Sequence, residues 1–357
     1  MRSLLAFVAV TSACGYPGLA ALDASQVTDG QPDASTCFGS FVRICFSLVP
    51  ETPQTFMEDF EVDTDATDAT AKCDQHNNQA ASYCVIAGTG FSIAATKTLS
   101  THGSKPLVLL STTTFSLSGI IDVSSGHTPG VPPAAGANSS MCPAGLDATG
   151  SSGGYGGSFG DRGGDGQSVD GQQGAPPAAL RSFPATLRGG CPGGAGAGPG
   201  GAGGSSAGAV AIIATTIHLD GNIYASGSGG LGGPTSKSGG GGGGSGGMIV
   251  LDAFSIDGNG ILVANGGGGG QGGTPPGTKG GSGSVGGESM DLLVAAAGGA
   301  DPGKGGGGGG AGSVGPTLTG ANASATPPIG GGGAGGGAAG FIRAHGATTV
   351  PTSPPPL

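Results

Sequence analysis

The residues of this chain best equipped for chemistry are six cysteines, an acidic run and a handful of histidines. Cys37, Cys45, Cys73, Cys84, Cys142 and Cys191 make an even set, which in an exported chain favours three disulfides. Cys142-Pro143 and Cys191-Pro192 flank a long glycine-rich stretch and are read as its clasp, which would stabilise by ~4 kcal/mol through loop closure. The other four would then staple the amino-terminal region among themselves. A metal reading of Cys73, His76 and Cys84 is the weaker one, since no C-x-x-C accompanies it.

Glu58 to Asp74 holds seven acidic residues against one lysine. Asp63, Asp65 and Asp68 lie close enough in sequence to suggest calcium, but the EF-hand spacing and its glycine are missing. A solvated acidic loop is the preferred reading. G-x-S-x-G occurs around Ser152, Ser158, Ser206 and Ser245, and four hits for one nucleophile carry no information without a strand-turn-helix context. His218 alternates between Ile217 and Leu219 and so points off the core, where a solvated side chain is expected. Nothing in these motifs calls for a cofactor.

The elements that would have to position such groups are short strands. The chain has 84 Gly and 25 Pro among 357 residues and only 10% charged residues, yet apolar residues reach 36% and fall in patterned islands. GAVAIIATTIHLDGNIYASGSGG from Gly208 and GMIVLDAFSIDGNGILVANGGGGG from Gly247 are two copies of one unit, each with alternating apolar residues broken by Asp-Gly. Such alternation signals strands, and a unit this small must stack on copies of itself to bury its apolar face. Aligning the Asp-Gly turns pairs Ile217 with Phe254 and Leu219 with Ile256, 37 residues apart. Earlier copies centre on Phe91 and Phe115, 24 residues apart, and Phe115 stands 102 residues before Ile217.

The expected fold is mainly β, a parallel β-helix or solenoid-like stack of short strands with long glycine-rich insertions at its corners. Phe115, Leu117, Ile217, Leu219, Phe254 and Ile256 should share one inward column. Tracts such as Gly239 to Gly244 are read as disordered connectors tolerant of shortening. The alternative is side-chain-free extended helices packed through their backbones. Weaker strands are expected at Met290 to Ala296 and Phe341 to Ala344.

Residues 1–13 have the layout of a secretory signal, and Cys14 after Ser12-Ala13 resembles a bacterial lipobox, with Thr11 departing from the preferred Leu. The organisation read from this is a signal at 1–13 and a lipid-anchored polar linker at 14–36. A small cysteine-containing region at 37–82 follows, then a glycine-rich β-repeat domain at 83–350 with a large insertion at 130–208, and a proline-rich tail at 351–357. Acyl chains on Cys14 would tie the chain to the membrane. A net charge of −10 with few clustered basic residues argues against nucleic acid as a partner.

These features together resemble the glycine-rich repeat surface lipoproteins of unknown function found in large-genome Gram-negative bacteria such as myxobacteria. The resemblance rests on the two units above and, less closely, on KPLVLLSTTTFSLSGIIDVSSG from Lys105. It implies a cell-envelope protein anchored in the outer membrane, facing the periplasm or the outside, and supplies no catalytic residue. The expected function is a non-enzymatic spacer or adhesive component that meets polysaccharide or other envelope material. The alternative is a carbohydrate-active β-helix lyase or hydrolase, for which Asp122, Asp220, Asp252, Asp257 and Arg343 would have to converge in a groove.

Overall fold

A computed structural model of the chain describes residues 35–68, 72–126, 131–180, 182–274, 292–300, 305–324, 329–347 and 350–356. Cys14, the signal and nearly all of the linker lie outside the described residues.

Strands are short, and apart from one amino-terminal hairpin they pair in parallel. The hairpin joins β1 (Thr36–Phe38) to β2 (Ile44–Phe46) antiparallel. A six-stranded sheet runs β4 (Phe60–Asp63), β7 (Thr98–His102), β10 (Ile120–Asp122), β13 (Asn222–Tyr224), β15 (Leu262–Val263) and β17 (Thr352–Ser353). A nine-stranded sheet has two arms that meet on the ten-residue β14 (Met248–Asp257). Its first arm is β5 (Cys84–Gly88), β8 (Leu107–Ser111), β11 (Ala209–Ile213) and the first half of β14, with β16 (Phe341–Ala347) beyond. Its second arm is β3 (Gln54–Phe56), β6 (Phe91–Ile93), β9 (Thr114–Leu117), β12 (Thr216–Leu219) and the second half of β14. The class is therefore mainly β with parallel sheets. Among the described residues no helix is long and apolar enough to cross a membrane.

Period-two alternation places Phe91, Phe115, Leu117, Ile217, Leu219, Leu99, Ile121 and Ile223 in one interior, all at most 3% exposed. The first arm of the nine-stranded sheet is buried on both faces, which explains its uninterrupted apolar runs VLL, VAII and MIVL. Outward-facing Val85, Val108, Leu110, Ala211 and Met248 are covered by Val42, Ile44 and Phe46 of the hairpin region and by Phe159, Leu187 and Cys191 of the insertion.

Three expectations about the strands need correcting. The sheets begin at Gln54, because β3 pairs with β6 and β4 with β7, earlier than the start of the expected β-repeat domain at residue 83. Residues 292–296 are turn and irregular structure rather than strand, whereas Phe341 to Ala344 does lie in β16. The third correction is the register of β14. Thr216 pairs with Ser255 and Ile217 with Ile256, so equivalent residues lie 39 apart and Phe254 points to solvent, 76% exposed.

The described glycine tracts are packed structure. Gly240, Gly243 and Gly246 donate to the carbonyls of Gly332, Gly335 and Ala338. Gly241, Gly244 and Gly247 donate to Leu231, Ser228 and Ala225, and Gly239, Gly242 and Ser245 to Ala197, Gly194 and Cys191. The carbonyls of the same segment accept from Gly154 and Gly157, from Gly201, Gly204 and Ala207, and from Gly267 and Gly270. Each neighbour is met on every third residue, the period of an extended polyproline II-type helix, so residues 239–247 form the centre of a bundle of such helices. Burying so much main chain is allowed because the carbonyls and N–H groups satisfy one another. At Gly242 a β-carbon would collide with the carbonyl of Tyr155 in the adjacent segment. The expectation of disordered connectors thus fails for these tracts: glycine's ordering cost is offset by a hydrogen-bond network that only side-chain-free backbones approach closely enough to make.

Candidate functional site

The outer side of the second arm is open. Parallel register stacks Thr55, Ser92, Ser116, His218 and Asp257 in one column. Thr114, Thr216 and Ser255 form a second column beside it, and the Ser255 and Thr216 hydroxyls lie 3.4 Å apart. Rows follow the ~4.8 Å strand spacing, so the face is a grid of hydroxyls that ends in His218 and Asp257. On the outer side of the six-stranded sheet Tyr224 and Val263 are buried, whereas Glu61 and Asp63 at its β4 edge are exposed and His102 Nδ1 lies 3.1 Å from Glu61 Oε1.

At one end of this grid, His218 bridges two carboxylates. Its Nδ1 contacts Asp257 Oδ1 and its Nε2 lies 2.9 Å from Asp220 Oδ2. The Asp257 hydrogen bond raises the pKa of His218 above the ordinary value; the little desolvation present opposes this, and the charges of Asp220 and Asp257 add to it. The expectation that His218 points off the core holds, with 48% of its side chain exposed, but it is paired rather than merely solvated.

A second polar cluster ties the amino-terminal segment to the sheets. Ser40 Oγ donates to Asp252 Oδ2 at 2.9 Å, and the N–H groups of Ser40 and Phe41 donate to the same oxygen. His345 Nδ1 lies 3.2 Å from Asp252 Oδ1 and 3.3 Å from Ser40 Oγ. Burial alone would raise the Asp252 pKa, but the hydrogen bonds from Ser40, His345 and Phe41 outweigh it and the net direction is down. Serine, histidine and aspartate meet here without the arrangement of a nucleophile. One ring nitrogen faces both oxygens, and the serine hydroxyl donates its hydrogen bond to the carboxylate rather than to the imidazole. Next to it, the Arg343 guanidinium stacks over Phe41 and Phe183, 5.5 Å and 5.1 Å from the ring centroids. The cluster is a clasp. Sequence reasoning missed it because Ser40 and Asp252 are 212 residues apart and no local pattern marks the pair.

The charged residues on which an enzyme would depend do not meet in one groove. Asp220 and Asp257 share His218, Asp252 sits in the clasp, and Arg343 covers aromatic rings. Asp122, on the six-stranded sheet, accepts from the Ser124 N–H at 2.8 Å. The calcium candidates are not gathered either. Asp65 accepts from the Ser104 N–H and hydroxyl, both at 2.6 Å, and Asp63 accepts from the Asp65 N–H at 2.9 Å. Among the described residues no three of His, Cys, Asp and Glu are grouped to hold a metal ion.

The cysteines form Cys37–Cys45, Cys73–Cys84 and Cys142–Cys191 disulfides, so Cys73 and Cys84 are not free to ligate a metal. Cys73–Cys84 holds the end of the acidic run against β5, where the Asp74 N–H donates to Val85 O at 2.7 Å. Ser152, Ser158, Ser206 and Ser245 are buried, and their hydroxyls bond main-chain atoms. No protein-family model, no curated protein and no solved structure matches this chain.

Proposed function

We propose that this chain is a non-enzymatic, lipid-anchored cell-envelope protein, a rigid spacer that offers a flat polar face for adhesion. In this reading the parallel sheets are turns of a three-sided β-solenoid, and its glycine-rich corner insertions pack into a bundle along one side. The amino-terminal signal and Cys14 deliver it to the outer membrane, as in the glycine-rich surface lipoproteins it resembles. One observation carries the proposal: residues 239–247 and their neighbours are knit by main-chain hydrogen bonds into packed structure. A chain that uses its most flexible residue for rigidity is suited to holding a surface at a fixed distance. Three disulfides support export to an oxidising compartment.

The carbohydrate-active alternative has one observation in its favour, the two carboxylates around His218. Both contact the same imidazole on an open face, whereas glycoside cleavage needs one carboxyl free to protonate a leaving group inside a cleft. The test of the leading reading is fractionation of cells expressing wild type and Cys14→Ala, with palmitate labelling and proteolysis of intact cells. Wild type should carry label and sediment with outer membranes, and Cys14→Ala should be released as a folded soluble protein. A Cys14→Ala variant that still takes label and sediments would overturn it.

A further inference from the structure

At the amino-terminal end of the sheets, β3, β4 and β5 are edge strands, each paired on one side only. Between them opens a cavity of about 620 Å³ whose lining includes Phe56, Phe60, Ile86, Glu58, Lys72 and Asp74. This volume lies in the usual range for small-molecule sites.

The cavity closes off a file of aromatic rings. Phe115 and Phe91 stack at 4.8 Å and Phe91 and Phe56 at 5.2 Å between centroids, and Phe56 is the last ring of the file. Phe60, 4.9 Å away at 56°, flanks Phe56 from the neighbouring sheet, and the Lys72 ammonium sits over the Phe60 ring at 5.6 Å. Phe56 remains partly exposed and lines the cavity, whose volume is large enough to admit a ring beside it. A peptide strand is not the natural occupant. On the open edge of β5 the Val85 carbonyl is taken by the Asp74 N–H, and the Ala87 carbonyl by Gln54 Nε2 at 3.2 Å. What the walls offer is an aromatic platform bordered by two carboxylates and an ammonium. That combination suits a flat ring with an apolar face and a rim of hydroxyls.

We propose that this end cavity binds a pyranose ring of a glycan. The ring stacks on Phe56, its hydroxyls donate to Glu58 and Asp74, and one of them accepts from Lys72. The proposal rests on the adhesive reading only in choosing glycans as the ligand class. A binding measurement with free sugars is independent of anchoring, so the two ideas can fail separately.

The experiment is saturation-transfer NMR on the full chain with cellotriose, xylotriose, maltotriose and triacetylchitotriose as probes. Transfer to at least one trisaccharide is expected. Phe56→Leu, which keeps an apolar side chain but removes the ring, should weaken it at least ~10-fold. Glu58→Gln should weaken it as well, and because Glu58 is exposed this variant should leave thermal unfolding unchanged. Absence of transfer to all four sugars would overturn the proposal. So would wild-type affinity in both variants, or binding that survives Phe56→Leu and is lost in His218→Ala, which would move the site to the hydroxyl grid.

Discussion

Ile256 is the direct parallel partner of Ile217, whereas Phe254, two residues earlier, stands 76% exposed at the bend of β14. Only one of these two large residues fills the interior. Ile256→Ala should therefore cost ~2–5 kcal/mol through lost burial and an unfilled cavity. Phe254→Ala should stay within ~0.5 kcal/mol. Urea denaturation of the two variants checks this, and equal losses would refute the register.

The same pair shows what the sequence made legible. The positions of β6, β9 and β12, their inward sides, and the stacking of Phe91, Phe115 and Ile217 follow from alternation and the repeat of the unit. The register of β14 does not, because Asp257-Gly258 imitates Asp220-Gly221 while the backbone matches Gly260 to Gly221. The ladder between β14 and β16 is also irregular between Asp252 and Ser255, where β14 absorbs one extra residue. The first strands of the sheets, β3 and β4, were hidden among polar and acidic residues. The glycine bundle was hidden for a different reason: its only information is main-chain hydrogen bonding, and a run of glycines reads the same whether packed or loose. Of the candidate site, His218 could be placed on the outer face, but its partner Asp257 depends on the register that the turns disguised.

Gly242→Ala should be severely destabilising, by more than ~3 kcal/mol, because its β-carbon has no space beside Tyr155 O and the surrounding backbones cannot part without breaking hydrogen bonds. Deleting two residues from 239–244 should be at least as damaging, since it shifts every donor out of its three-residue phase. Thermal unfolding of both variants is the check, and wild-type behaviour of the deletion would return the tract to the class of connectors.

His218 should titrate above the ordinary histidine range in a two-dimensional NMR titration, and Asp257→Asn should bring it back down. Its folded pKa is raised, so its contribution to stability is fully present below the unfolded value and fades as pH rises through the folded one. The contribution will be small because the pair is exposed and screened. A midpoint unchanged by Asp257→Asn would show that the contact does not persist in solution.

Alkylation of the unfolded, unreduced protein should label none of Cys37, Cys45, Cys73, Cys84, Cys142 and Cys191. Replacing Cys142 and Cys191 together by Ser should cost ~4 kcal/mol in the loop-closure picture, as the bond spans 49 residues. Free thiols at either position, or an unchanged denaturation midpoint in the double variant, would contradict the clasp.

Rigidity of the glycine bundle is the premise on which the spacer reading stands, and amide hydrogen exchange measures it directly. The peptide spanning 239–247 should exchange as slowly as β11 and β12, opening only with global unfolding, because it is buried throughout and its amides donate to the carbonyls of Leu231, Gly194 and Gly335 and their neighbours. Exchange of these amides at the rate of an unstructured chain, while the strands remain protected, would contradict the account.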